Sequence, residues 1–142
     1  MAPASSSSDV AGSQEPLVMV VDDSATMRRS VMMTLERGGY RVVLAENGAE
    51  ALARLKGGLR PDLLLTDIVM PEMDGVELIR AARQLLRFTP IVALTTQGQR
   101  HYRDQGKSAG ATAWLIKPTG GRELLDLVAS FVPRAAPTKT AG

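Results

Sequence analysis

Cysteine is absent from this sequence, and histidine occurs once, at His101. Without a thiol the chain forms no disulfide, offers no thiolate ligand to a metal and has no cysteine nucleophile. A single imidazole likewise excludes any metal site that needs two histidines. Zinc hydrolases and papain-like enzymes are therefore excluded.

Aromatic residues and long apolar runs are also scarce. Aromatics make up 4% of the 142 residues, and the longest apolar runs, such as Leu17 to Val21, are far shorter than the roughly 20 residues of a transmembrane helix. Few rings leave little for stacking on nucleic-acid bases. The 17 Lys and Arg residues are scattered and nearly balanced by 15 Asp and Glu, which leaves a net charge of +2. We expect neither membrane insertion nor a nucleic-acid partner.

The two ends of the chain have little that could build a core. Residues 1–16 are rich in Ser, Ala and Pro, and residues 133–142 contain no Leu, Ile, Val or Phe, so neither segment can offset the entropy of ordering. The first segment also lacks the basic and apolar regions of a secretory signal, and we expect a cytoplasmic protein. The sequence therefore predicts a disordered tail at 1–16, one folded domain at 17–132 and a flexible tail at 133–142.

Five short apolar runs mark the predicted strands. Each holds four or five residues rich in Val, Ile and Leu, without a regular polar alternation, which is typical of strands buried on both faces of a parallel sheet. The runs are Leu17 to Val21, Val42 to Ala45, Leu63 to Thr66, Ile91 to Leu94 and Ala113 to Ile116.

Amphipathic stretches with capping residues follow the runs. After Ser24, a favoured N-cap residue, Met27, Val31 and Leu35 recur at helical spacing, and glycine at 38 and 39 supplies a stop. The same signals predict a helix between Asn47 and Gly57, a helix capped by Asp74, and a last helix after Gly120 and Gly121.

The stretch from Arg100 to Ala109 should form the fourth helix, but its sequence is unfavourable. It offers only Tyr102 and Ala109 to the core, and Gly106 inside it costs about 1 kcal/mol relative to Ala. We expect this helix to be short, frayed or mobile.

Strict alternation of five strands and five helices predicts the fold. Parallel strands joined through helices require right-handed crossovers, which place helices on both faces of the sheet. The sequence therefore predicts an α/β domain with a doubly wound, five-stranded parallel sheet.

Polar side chains stand at the ends of four of the five predicted strands. In a parallel α/β sheet the carboxyl ends of the strands share one edge, where ligands bind. The side chains brought to this edge are Asp22 and Asp23 after the first strand, Asp67 after the third, Thr95 and Thr96 after the fourth, and Lys117 after the fifth.

These residue types suit phosphoryl chemistry around a hard cation. Three carboxylates crowded together repel one another unless a cation neutralises them, and Mg²⁺ prefers oxygen ligands and bridges carboxylates to phosphate. Lys117 can pair with phosphoryl oxygens, and the Thr95 hydroxyl can donate to another. Taken singly, each residue has a plainer explanation: Asp22 and Asp23 could cap a helix, Thr95 could be a strand end, and Lys117 a surface charge.

Four motifs in this order carry a family resemblance. Val-Val-Asp-Asp-Ser at 20–24, Asp-Ile-Val-Met-Pro-Glu-Met-Asp-Gly at 67–75, Ala-Leu-Thr at 93–95 and Lys117-Pro118 resemble the receiver domains of bacterial response regulators. Asp-Ser-Ala-Thr-Met-Arg-Arg at 23–29 is similar to single-domain chemotaxis regulators of the CheY type. The resemblance covers about residues 17–132 and implies the flavodoxin-like (βα)5 receiver fold.

The resemblance also implies a role for each site residue. Asp67 would be the phosphoacceptor, with Thr95 as the switch hydroxyl and Lys117 as the phosphoryl contact, in a cis Lys117-Pro118 bond. Trp114 would be the aromatic switch; it could also be simple core. Mg²⁺ would bind Asp23, Asp67 and the Val69 backbone carbonyl directly, and Asp22 through water.

Three positions depart from the usual receiver pattern. Val69 is apolar where chemotaxis members often carry a polar side chain that guides the hydrolytic water or a phosphatase, and Thr96 is larger than the Ala or Gly common there. Trp114 is bulkier than the usual Tyr or Phe, and we expect this bulk to hinder a full inward turn. The departures concern how quickly phosphate is lost and how the switch moves.

The resemblance implies a phosphorylation-dependent binding protein, not an enzyme. A histidine kinase would be the phosphodonor, and the changed surface would lie on the last two helices and the fifth strand. Since no effector segment follows Val132, we expect a stand-alone regulator, in chemotaxis or motility, acting as a monomer or weak phosphorylation-dependent dimer. Its target would be a protein such as the flagellar motor switch, and a phosphatase could act on it.

Two other functions stay open at this point. A phosphate sink would accept phosphoryl groups from a shared kinase and bind no target. A small Mg²⁺-dependent phosphohydrolase would share the aspartyl-phosphate chemistry. The second is disfavoured because Val69 stands where such enzymes need a general acid, and because the chain has no substrate cap.

Overall fold

The computed structural model describes residues 15–70, 73–96, 101–117 and 120–133. The two predicted tails lie outside the described residues except for residues 15, 16 and 133. The predicted folded domain is described over most of its length, with gaps at 71–72, 97–100 and 118–119.

Strands and helices alternate along the described chain. The strands are β1 (Leu17–Val21), β2 (Arg41–Ala45), β3 (Leu63–Asp67), β4 (Ile91–Thr95) and β5 (Ala113–Ile116). The helices are α1 (Ala25–Arg37), α2 (Gly48–Lys56), α3 (Gly75–Leu85), α4 (Arg103–Ala109) and α5 (Gly121–Phe131). Each strand lies within one residue of its predicted bounds.

All five strands are parallel and form one sheet in the order β2-β1-β3-β4-β5. The order reverses between β1 and β3, so the connections leaving these two strands turn to opposite sides and open a crevice at their carboxyl ends. The predicted fold class, a doubly wound five-stranded parallel sheet of the flavodoxin-like type, is confirmed.

Each face of the sheet has its own apolar layer. Successive residues of β1 point to opposite faces. Val18 and Val20 pack with α1 and α5, whereas Met19 and Val21 pack with α2, α3 and α4. The middle of every central strand is therefore buried on both sides, which explains the apolar runs without polar alternation. The two apolar layers together support the carboxyl edge of the sheet, where the predicted site residues lie.

Helices α1, α2 and α3 begin at the predicted caps. Ser24 accepts a hydrogen bond from the Met27 amide, and Asn47 accepts one from the Glu50 amide. Asp74 and Glu77 form a reciprocal capping box at the start of α3. Such caps satisfy amides that would otherwise lack partners at a helix start.

Helix α4 is short, as predicted, with seven residues after a single 3-10 turn at 101–102. Tyr102 and Ala109 contact the core layer on the α2, α3 and α4 side, as the sequence indicated. Gly106 is buried as well, which the sequence did not indicate. Among the described residues, no helix has both the length and the apolar character needed to cross a lipid bilayer.

Candidate functional site

Asp67 is the last residue of β3 and is almost fully buried, with 5% of its surface exposed. Its Oδ1 atom accepts a hydrogen bond from the Ile68 amide at 3.0 Å. Helix α3 closes over the loop that follows, because the Gly75 amide donates to the Ile68 carbonyl at 2.6 Å. A Cβ atom at position 75 would lie 2.2 Å from the Asp67 carbonyl oxygen. Only glycine therefore permits this close approach, which holds Asp67 in place.

Asp22 and Asp23 follow β1 directly and differ in exposure: Asp22 is buried and Asp23 is exposed. Asp22 Oδ1 accepts a hydrogen bond from the Ser24 amide at 2.9 Å, and the Asp22 carbonyl accepts one from Arg28 Nη1 at 2.6 Å. These contacts fix Asp22 between the strand and α1.

The three aspartates converge. One carboxylate oxygen from each of Asp22, Asp23 and Asp67 lies within 4.8 Å of the others. Asp22 Oδ2 is buried and has no hydrogen-bond donor among the described residues. A buried carboxylate oxygen without a donor is costly, and a hard cation with oxygen ligands would satisfy it. The set of oxygen donors fits a hard divalent cation such as Mg²⁺.

Lys117, directly after β5, reaches into the same cluster. Its Nζ atom lies 3.3 Å from Asp67 Oδ1 and 3.6 Å from Asp22 Oδ2. The ammonium group is thus shared between two carboxylates that belong to different strands. A lysine ammonium is a compact point charge, which suits pairing with oxygens of either carboxylate. Pro118, and with it the predicted cis peptide, lies outside the described residues.

Burial dominates the titration of Asp67. The pKa of this carboxyl is raised overall from 3.8 to about 6; burial is the largest cause, and the negative charge of Asp22 acts in the same direction. The attraction and hydrogen bond of Lys117 and the Ile68 amide lower the pKa but do not cancel the cost of burial. Asp67 therefore loses its proton just below neutral pH, where it can serve as a nucleophile.

Thr95 and Trp114 form a pair beside this cluster. Thr95 is the buried last residue of β4, and its Oγ1 accepts a hydrogen bond from Trp114 Nε1 at 2.8 Å. Leu94, the neighbour of Thr95, is the register partner of Asp67. The indole N–H thus contacts Thr95 despite the bulk of the ring, and the expected hindrance of a full inward turn stays a prediction.

The remaining predicted positions lie at the rim. Val69 follows Asp67 by two residues and is 43% exposed, and Thr96 is exposed after β4. Neither contributes a side-chain carboxylate or cation.

Two residues that position the site were not singled out from the sequence. Gly75 was part of a motif, but its close packing on the Asp67 backbone was not foreseen, although a glycine directly after the Asp74 cap was a signal. Arg28 was likewise only part of a motif, yet its side chain donates to the Asp22 carbonyl. An arginine four residues after the Ser24 cap carries no signal for such a backbone contact.

Residues 18–129 match the family model for the response regulator receiver domain. The chain belongs to this family. As a receiver domain of a two-component system, it is a signalling phosphoacceptor module, of the kind that takes phosphate from histidine kinases and binds Mg²⁺ at an acidic site.

Curated relatives of this receiver domain include a transcriptional regulatory protein and a response regulator. The chain is 41% identical over 126 residues to the transcriptional regulatory protein ResD of Bacillus subtilis, covering 87% of this chain and 51% of ResD. It is 38% identical over 120 residues to the response regulator MprA of Mycobacterium avium, covering 84% and 52%. The chain spans about half the length of these relatives.

Solved structures support the same fold. The chemotaxis protein CheY4 of Vibrio cholerae is 38% identical with a TM-score of 0.78, covering 84% of this chain and all of that one. The receiver domain of a Pseudomonas aeruginosa sensor histidine kinase, described with magnesium in its active-site cleft, is 28% identical with a TM-score of 0.76, covering 83% and 98%. Relatives thus include both chemotaxis and transcription proteins, and the predicted stand-alone chemotaxis role stays a prediction.

Proposed function

We propose that Asp67 accepts a phosphoryl group from a histidine kinase. The observation that carries this proposal is the buried Asp67 carboxylate, placed 3.3 Å from Lys117 Nζ and within 4.8 Å of oxygens of Asp22 and Asp23. Asp23, Asp67 and the Val69 carbonyl would hold Mg²⁺ directly, and Asp22 would hold it through water.

The transfer exchanges one bond to phosphorus for another. An Asp67 carboxylate oxygen attacks the phosphorus of a phosphohistidine, the P–N bond breaks, and the imidazole nitrogen keeps the electron pair. Lys117 then pairs with phosphoryl oxygens, and the Thr95 hydroxyl donates to another. Bound Mg²⁺ would offset negative charge on the phosphoryl oxygens. Hydrolysis later breaks the bond between phosphorus and the Asp67 oxygen and restores the carboxylate.

The signal leaves through a protein surface formed by α4, β5 and α5. Trp114 lies on β5, donates to Thr95, and lines a cleft of about 230 Å³ with Arg103 and Lys107 of α4. A shift of Thr95 toward a phosphoryl group would therefore be felt directly at this surface. We place this action in the cytoplasm, on a monomer or a weak phosphorylation-dependent dimer. Its partner is a signalling protein such as the flagellar motor switch.

The phosphoacceptor role is tested by Asp67→Asn with acetyl phosphate and Mg²⁺. The variant should fold and show no aspartyl-phosphate, because an amide oxygen is a poor nucleophile. Asp126→Asn, an exposed aspartate on α5, is the matched control and should be labelled like the unmodified chain. Mass spectrometry after hydroxylamine treatment locates the label. A labelled Asp67→Asn chain would contradict the proposal.

A phosphate sink is the alternative within the same chemistry. Both functions need Asp67, so the discriminating observation is a phosphorylation-dependent partner. Pull-downs with and without beryllofluoride, which mimics the phosphoryl group, should recover a protein other than the kinase only in its presence. If the kinase is the sole partner in both conditions, the sink is supported instead.

A further inference from the structure

Gly106 lies in the middle of α4, where its sequence position indicated only a loss of helix stability. In the structure it is buried against Trp114. A Cβ atom at position 106 would lie 2.4 Å from Cζ3 and 3.0 Å from Cη2 of the indole. Real Cβ atoms do not approach other atoms so closely, so the six-membered part of the ring occupies space that any other residue would fill.

The other end of the same ring contacts the switch threonine. The indole N–H is a donor only, so at 2.8 Å the Thr95 hydroxyl must accept. Accepting this bond leaves the hydroxyl proton of Thr95 free to donate elsewhere. Since Leu94 is in register with Asp67, oxygens added to Asp67 would lie close to Thr95.

We propose that Gly106 is a positioning residue for the phosphorylation switch. The missing side chain of Gly106 leaves room for the Trp114 ring to pack inward against α4. In this position the indole N–H donates to the Thr95 hydroxyl, which can then donate its own proton to the phosphoryl group. This inference rests on the proposed phosphoacceptor function. Gly106 of α4 would thereby influence how the Thr95 hydroxyl on β4 responds to phosphorylation of Asp67.

The proposal explains why a poor helix former stands in a short helix. Gly is less favourable than Ala at an interior helix position, and α4 has only seven residues. The cost is offset if a large ring packs into the space. Gly106 and Trp114 are then a size-matched pair, in which the glycine is needed only because the ring is an indole.

The first test uses Trp114 as its own reporter, since it is the only tryptophan in the chain. Gly106→Ala should push the ring outward, shift its emission to longer wavelength and increase its quenching by acrylamide. Gly57→Ala, an exposed glycine at the end of α2 where a Cβ meets its nearest atom at 3.4 Å, is the matched control and should leave emission unchanged. Unchanged emission in Gly106→Ala would overturn the proposal.

The second test separates ring packing from helix propensity. Gly106→Ala should lower the melting temperature by roughly 4 °C or more, although Ala favours helices. A Trp114→Phe chain lacks the indole carbons that would clash with a Cβ atom at position 106. In that background Gly106→Ala should raise the melting temperature. A rise in both backgrounds, or unfolding in both, would overturn the proposal; unfolding of Gly106→Ala alone, rescued by Trp114→Phe, supports it.

The third test distinguishes this inference from the phosphoacceptor role. Gly106→Ala should still be labelled at Asp67 by acetyl phosphate, but the Trp114 emission change on adding beryllofluoride and Mg²⁺ should be largely lost. Thr95→Val, which removes the acceptor, should reduce the same emission change. If the unmodified chain is not labelled, the proposed function fails; if it is labelled and Gly106→Ala responds normally, only the positioning role fails.

Discussion

Asp67 combines two requirements that oppose each other. A nucleophile must be ionised at neutral pH, yet burial favours its protonated form. Burial raises its pKa to about 6, still low enough for the carboxylate to predominate near neutrality. The site thus keeps a carboxylate that is ionised near neutral pH and poorly solvated. Such a carboxylate gains from any cation that reaches it.

The raised pKa makes the stability of the folded chain depend on pH. A carboxyl group whose pKa is higher in the folded than in the unfolded state contributes stability that is full below about pH 4 and is lost as the pH rises through about 6. Asp67→Asn has no such titration. Its stability advantage over the unmodified chain should therefore grow between about pH 4 and pH 7, by ~1–3 kcal/mol in metal-free buffer.

Urea unfolding at several pH values, with a chelator present, measures this difference. Saturating Mg²⁺ should reduce it, because the cation replaces the solvation that the carboxylate lost on burial. A difference that stays constant from about pH 4 to pH 7 would show that burial does not control the titration of Asp67.

At the same scale, the sequence predicted which residues meet but not how. Strand ends and residue chemistry were sufficient to bring Asp22, Asp67 and Lys117 to one edge. The burial difference between Asp22 and Asp23 and the contact between Trp114 and Thr95 depend on packing of several elements. A strand-end rule contains no such information.

At the scale of elements, Arg83 connects two loops at the amino edge of the sheet. Its Nη1 donates to the carbonyls of Leu86 at 2.8 Å and Thr89 at 2.8 Å, and its Nη2 donates to the Gly110 carbonyl at 2.7 Å. Nη2 also reaches Thr112 Oγ1 at 3.3 Å. The end of α3 and the turn between α4 and β5 are therefore held by one guanidinium.

Replacement of Arg83 by lysine should be destabilising despite the retained charge. A lysine ammonium lacks the planar fork that reaches several carbonyls at once, so carbonyls on one of the two loops would lose their donor. We expect a loss of ~1–3 kcal/mol in the free energy of unfolding, measured by urea denaturation. The exposed Arg87, changed to lysine, is the matched control. Equal stability of both variants would contradict this role for Arg83.

Helix α4 shows where prediction from sequence reaches its limit. Its short length followed from the scarcity of apolar residues, and its two core contacts were identified. The meaning of Gly106 was not, because helix propensity describes an isolated helix and contains no information about the ring of Trp114. The other helices, which have clear apolar faces and, in α1, α2 and α3, side-chain caps, lie where the sequence placed them.

At the scale of the whole molecule, alternation of strands and helices was sufficient to predict the fold. Parallel strands buried on both faces leave few topologies once right-handed crossovers are required. The relatives show what a fold alone does not determine, because they include both a chemotaxis protein and a transcriptional regulatory protein. The partner of a receiver depends on surface residues that the fold leaves free to vary.

A substitution at the amino edge of the sheet can test whether that edge influences the site at the carboxyl edge. Phe88, in the loop before β4, is 96% exposed and lies at the edge opposite Asp67. Phe88→Ser should change the free energy of unfolding by less than about 0.5 kcal/mol. Labelling by acetyl phosphate should proceed at the rate of the unmodified chain. A slower rate would mean that this loop communicates with the phosphoacceptor site.

The close approach of Gly75 to the backbone of Asp67 has a consequence for variation in this protein. Since a single added methyl group at position 75 would collide with main-chain atoms, no side-chain rearrangement elsewhere could compensate for it. Surrounding positions can be substituted as binding partners change, whereas position 75 must remain glycine because backbone atoms fill the space around it. Random mutagenesis with selection for folded protein should therefore recover diversity around position 75 but almost none at it.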